Sequence, residues 1–155
     1  MTMEIIEREE VHAFTIRKEI EIGAPIEMAF EAVLDELVAD AQMPDGKSLS
    51  MKIEPWPGGR WYRDLGDNTG HLWGHVQVIK PPTLLEITGP MPMSYPAVNH
   101  VQYRLKANGG GTLLTFAHRA MGLILPEHRD GMPEGWEHWL DQIRERAERK
   151  VRESV

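Results

Sequence analysis

Among the side chains that could do chemistry in this chain, the histidines come first. The sequence contains no cysteine, and so no thiol nucleophile, thiolate metal site or disulfide framework. His118 is the histidine best placed to act. Leu114, Phe116 and His118 alternate along one predicted strand, which puts them on one face, and the company they keep makes that face the inner one. An inward histidine can serve as a general base, as a polar contact for a ligand or as a hydrogen-bonded structural residue, and all three roles stay open at this point. His71 and His75 lie four apart on another strand, roughly 13 Å from each other at ~3.3 Å per residue, too far to chelate one metal unaided. With Trp73 they form a stripe opposite Leu72 and Val76. If those two face the core, His71, Trp73 and His75 lie outside and form a candidate subunit interface. His100 alternates with Val101 and Tyr103 and is expected to face outward.

Other nucleophiles are scarce. The four serines, Ser48, Ser50, Ser94 and Ser154, sit in no G-x-S-x-G elbow, and no H-E-x-x-H motif occurs. Asn108-Gly109-Gly110-Gly111-Thr112 lacks the lysine and following helix of a phosphate loop, and reads as a hairpin turn. Asp64 and Asp67 flank a glycine turn, where carboxylates are ordinary. Glu27, Glu31 and Asp35 recur at helical spacing and read as a solvated face in preference to a metal cluster. No metal, cofactor or catalytic residue is assigned.

The elements that would position these residues read in order. Residues 11–22 alternate as a long strand through Phe14, Ile16, Ile20 and Ile22. Gly23-Ala24-Pro25 breaks it, and Ile26, Phe30, Val33, Leu34 and Leu37 form the apolar face of a helix. Strands follow over 50–56 and 60–64 around Pro57-Gly58-Gly59, then over 69–80, ended by Pro81-Pro82, and over 84–88. Residues 89–96, with three prolines and two methionines, fit no regular structure. Residues 98–106 and 112–121 flank the glycine-rich hairpin. From Pro133 to Arg152, Trp136, Trp139, Leu140, Ile143, Ala147 and Val151 form one helical stripe. Asp141 with Arg144, Glu145 with Arg149 and Glu148 with Arg152 are spaced for pairing on the other face. Strands in sequence with helices at both ends predict an α+β fold, with an antiparallel sheet curved around the C-terminal helix.

At 155 residues the chain reads as a single domain over 11–155 behind a glutamate-rich extension, 1–10. That extension is neither a secretory signal nor a transit peptide, and no apolar run is long enough to span a bilayer. A cytoplasmic location is the default expectation. The net charge of −7, from 17 basic and 24 acidic residues, leaves nucleic-acid binding without an electrostatic basis.

The sequence resembles a known family. The carriers are Gly23-Ala24-Pro25 entering a helix, Pro57-Gly58-Gly59-Arg60-Trp61, and Gly74-His75-Val76 running into Pro81-Pro82 and Leu84. Gly110-Gly111-Thr112 followed by Leu114, Thr115 and His118, and Gly135-Trp136 with Leu140, complete the set. In order and spacing they are similar to the SRPBCC superfamily of START-like helix-grip proteins, and within it to the AHSA-type homologues of the heat-shock-ATPase activator. The resemblance implies about seven antiparallel strands wrapped around the C-terminal helix, with two short helices near the N-terminus closing a cavity. Family members bind lipids, hormones, polyketides and other hydrophobic molecules, and some are cyclases. Carried over by position, Trp61, Leu114, Phe116, His118, Trp136 and Leu140 are expected to face the cavity or the helix, and for a bound ligand Trp61, Tyr103 and Phe116 would supply apolar walls and His118 a polar handle. Residues 45–50 depart from the pattern, since relatives commonly carry tryptophans there. The leading expectation is therefore a protein that binds a small hydrophobic or aromatic molecule, without an assigned enzymatic activity. The alternatives are a cyclase, dehydratase or hydrolase using His118, and a protein-interaction module, with a homodimer as a candidate assembly.

Overall fold

Alternation along the first strand sets the inner face of the sheet. In β1 (His12–Ile22), Phe14, Ile16, Ile20 and Ile22 turn inward with half-buried Lys18 on the same face, while Thr15, Arg17, Glu19 and Glu21 are exposed. The computed structural model describes residues 2–39 and 50–154 of the chain. After β1 come α1 (Ile26–Leu37), β2 (Met51–Ile53), β3 (Arg60–Gly66), β4 (Thr69–Lys80), β5 (Leu84–Gly89), β6 (Ala97–Asn108), β7 (Gly111–Gly122) and α2 (Pro126–Glu153). All strands join one antiparallel sheet in the order β1-β7-β6-β5-β4-β3-β2. The glycine-rich hairpin joins β6 to β7, with Asn108 opposite Gly111 and Gly109 at a φ of 62°, a conformation glycine adopts without steric cost.

The sheet curves around α2, whose buried stripe is Trp136, Leu140, Ile143 and Ala147. These side chains meet Leu114 and Phe116 of β7, Tyr103 of β6 and the buried face of α1 in one core. The arrangement is a helix grip, as the sequence implied. Among the described residues one short helix, α1, lies between β1 and β2. The second expected short helix and the divergent stretch 45–49 fall outside them.

Three details differ from the sequence-based expectation. First, α2 begins at Pro126, so Pro133 lies inside the helix and does not start it. A proline is favoured in a first turn, and here Pro126 takes that role. Second, of the three predicted pairs on the outer face of α2, Arg144 with Asp141 forms, at 2.9 Å. Glu148 instead accepts a 2.8 Å bond from the Gly23 backbone N–H, and Arg152 reaches Glu145. Third, β4 carries a bulge. Trp61 pairs with Gly74 but Tyr62 pairs with Leu72, which leaves Trp73 as an extra residue. The extra residue flips the alternation, so the predicted exterior stripe does not form. His71 and Trp73 turn to the concave side and Leu72 is exposed, while beyond the bulge His75 faces out and Val76 is buried.

The carboxylates of α1 behave as a solvated face. Glu31 and Asp35 lie 3.5 and 3.1 Å from Lys150 of α2. Beneath them, the enclosed Glu36 pairs with Arg146, tying the two helices together.

Candidate functional site: a cleft under the first half of the C-terminal helix

Where the sheet extends past the gripped part of α2, a cleft of about 490 Å³ remains. Its walls come from four elements. Trp61 and Trp73 stand on β3 and β4, His118 on β7, and Trp136 and Trp139 on α2, while Met91 and Met93 close it from the irregular segment 90–96. Aromatic rings pack edge to face around it. Trp61 meets Trp73 at 5.1 Å and Trp136 meets Trp139 at 6.0 Å.

His118 is set into the wall. It is 1 % exposed, and both ring nitrogens are engaged. Trp136 Nε1 donates to Nδ1 at 2.8 Å. An indole nitrogen only donates, so Nδ1 must accept. The ring proton therefore sits on Nε2, which bonds Asn99 Oδ1 at 2.7 Å. Burial, which disfavours the charged ring, pushes the His118 pKa down to about 4. This histidine is neutral and oriented by two groups that do not titrate.

Asn99 extends the network to the loop. Its amide nitrogen lies 3.2 Å from both the Gly89 and Pro90 carbonyls and 3.6 Å from Met93 Sδ. The Met91 N–H bonds the Trp73 carbonyl at 2.8 Å. Across the mouth, Tyr95 Oη lies 2.6 Å from His128 Nδ1 with the rings stacked, joining the loop to the first turns of α2.

The structure brings Trp61, His118 and Trp136 to the cleft. Tyr103, Phe116 and Leu140 lie behind this wall, each no more than 2 % exposed, in the core itself. Burial raises the Tyr103 phenol well above its ordinary value, so it stays neutral. His100 pairs with Glu86 at 2.6 Å. Asp64 is held by Lys52 at 2.7 Å and by the Gly66 N–H, not by His118, and those bonds lower its pKa. Sequence reasoning missed the inward turn of Trp73, the Asn99 partner and the part played by His128. Among the described residues, no group of three histidine, aspartate or glutamate side chains could hold a metal ion, and no helix is long and apolar enough to cross a membrane.

A single curved antiparallel sheet around one long helix, with a cleft at the end of the grip, defines a helix-grip protein. The chain belongs to the family described as Activator of Hsp90 ATPase homolog 1-like protein, which it matches over residues 23–148. Among solved structures it is similar to a protein of Rhizobium leguminosarum, at 20% identity and a TM-score of 0.71, covering 92% of this chain and 99% of that one. An AHSA1-like protein of Rhizobium etli is 27% identical, with a TM-score of 0.58 and coverage of 92% and 86%. CalU16 of Micromonospora echinospora shares the fold at 23% identity and a TM-score of 0.55, covering 86% of this chain and 73% of that one. No curated protein matches the sequence.

Proposed function

We propose that the protein binds a small apolar or aromatic molecule in the cleft between α2, the concave face of the sheet and the 90–96 segment. The observation that carries this reading is on α2. Gly131 and Gly135 lie four apart, on one helical face, and both border the cleft. A Cβ built at either would meet nothing within 4 Å. Each glycine costs the helix about 1 kcal/mol relative to alanine, and nothing among the described residues fills the room they leave. Such room suits a guest. The volume falls in the range typical of small-molecule sites, and the indoles and methionine side chains around it adapt to planar apolar bodies. Burying ~300 Å² of apolar ligand surface at ~25 cal/mol per Å² would contribute roughly 7 kcal/mol before the costs of immobilisation.

The bonding of His118 favours binding over catalysis. A general base needs a free lone pair, and the one this ring has is taken by Trp136. What His118 supplies is a rigid wall.

The test is a thermal-shift and native mass-spectrometry screen of apolar aromatic compounds against the wild type and Gly135→Leu. The variant puts a side chain into the cleft where a Cβ has space, and it also improves helix propensity. Retained compounds and a raised Tm are expected for the wild type, with both lost in a folded Gly135→Leu. Equal retention by the two proteins, or no retention by the wild type, would sink the reading.

A further inference from the structure

We infer that the β3–β4 end of the cleft is an acid-recognition subsite, in which Arg63 and His71 receive the carboxylate or sulfonate of a ligand whose aromatic body lies against Trp61 and Trp73. This rests on the cleft being a ligand site and adds the class of ligand.

Arg63 and His71 are direct cross-strand partners, and Met51 stands opposite Arg63 on its other side. Paired residues share a face, and buried Met51 identifies it as the concave one. Arg63 also lies two residues from inward-facing Trp61, about 7 Å along the strand. The His71 ring is 6.4 Å from that of Trp73, which in turn packs on Trp61. Both indoles border the cleft. An acid head and an aromatic body can therefore be served by one continuous surface.

Arg63 Nε and Trp73 Nε1 are enclosed, and neither has a hydrogen-bond partner among the described residues. Arg63 forms no ion pair among the described residues, although the other two cations of β2 and β3 do. Lys52 holds Asp64 at 2.7 Å and Arg60 holds Glu54 at 2.8 Å. Glu54 and Asp64 are thus committed to other cations, and a part-enclosed guanidinium is left without an anion among the described residues. An uncompensated charge of this kind is costly unless something answers it. Glu127 borders the cleft on α2. An anionic ligand is thereby oriented with its acid toward Arg63 and its apolar body under the helix. The net charge of −7 excludes general anion attraction as a substitute for a local site.

The test compares two dyes sharing one aromatic scaffold, 8-anilinonaphthalene-1-sulfonate and the uncharged N-phenyl-1-naphthylamine, by fluorescence titration. The wild type should bind the sulfonate at least tenfold more tightly. Arg63→Met should remove that preference and leave the neutral dye within about twofold, and Arg63→Lys should restore part of it. Binding of the neutral dye with no sulfonate preference, or a preference that survives Arg63→Met, overturns the subsite and leaves the cleft reading intact. If the wild type binds neither dye, both readings fall. The wild-type comparison decides the matter even if Arg63→Met does not fold.

Discussion

Trp136 Nε1 of α2 donates a 2.8 Å hydrogen bond to His118 Nδ1 of β7, joining helix to sheet through the wall of the cleft. The bond requires Nδ1 to be unprotonated. Protonation would set one N–H against another in a buried site.

That requirement gives a pH dependence with a definite sign. The His118 pKa falls from 6.5 to about 4 on folding, so between those values the unfolded chain binds more protons. Stability therefore rises with pH through this window, is fully present above about 6.5, and is lost as pH falls toward 4. The span corresponds to about 3 kcal/mol. Urea melts of the wild type and His118→Gln between pH 4 and 7 should differ by that pH-dependent contribution. Parallel pH profiles would show that His118 is not the group responsible.

The two tryptophans of α2 are not equivalent. Trp136 is 8 % exposed, touches Phe116 at 4.5 Å and carries the bond to His118, while Trp139 sits half-buried at the rim. Trp136→Ala should cost ~3–5 kcal/mol, and Trp139→Ala about 1–2 kcal/mol less. Denaturant midpoints for the pair measure this directly, and equal losses would contradict the orientation.

Asn99 serves four partners at once, His118, Met93 Sδ and the Gly89 and Pro90 carbonyls, and Asn99→Leu removes them all. The expected loss is about 2 kcal/mol, because the His118 Nε2–H and the Gly89 and Pro90 carbonyls lose their bonds inside the protein. Amide exchange at Met91, which bonds the Trp73 carbonyl, should quicken more than exchange in the β1–β7 pair. A uniform change across the sheet would argue against a specific anchor for the loop.

Gly89 is required by close approach. A Cβ there would lie 2.4 Å from Gly74 Cα and 2.5 Å from the Trp73 carbonyl oxygen, and backbone cannot give way as a flexible side chain can. Gly89→Ala should destabilise by about 1–3 kcal/mol and disturb the indole pair Trp61–Trp73, visible in near-UV circular dichroism. An unchanged spectrum and melting temperature would refute it.

These residues also show what a sequence can carry. The long strand from Thr69 to Lys80 is bounded by a glycine turn and two prolines, and its ends were readable to the residue. Both edges of the hairpin around Gly109 followed from turn chemistry, and the buried stripe of α2 from helical spacing. The inward histidine was readable from alternation with Leu114 and Phe116. The bulge at Trp73 was not, because one extra residue leaves no mark in composition, yet it reverses which side chains reach the concave face. Nor was Asn99 readable. Its role depends on a partner nineteen residues away, brought near by the register of β6 against β7. The early start of α2 was hidden because Pro133 has the chemistry of a first-turn residue as well as of an interior break.

Pro133 has one more consequence. It has no N–H to offer the Arg129 carbonyl, so the helical ladder lacks a rung within the stretch of α2 that borders the cleft, ahead of the turns gripped by the sheet. Exchange protection along α2 should therefore step up sharply past this residue. The first two turns can open on a faster clock than the rest of the helix without loosening the core that Leu140, Ile143 and Ala147 hold closed.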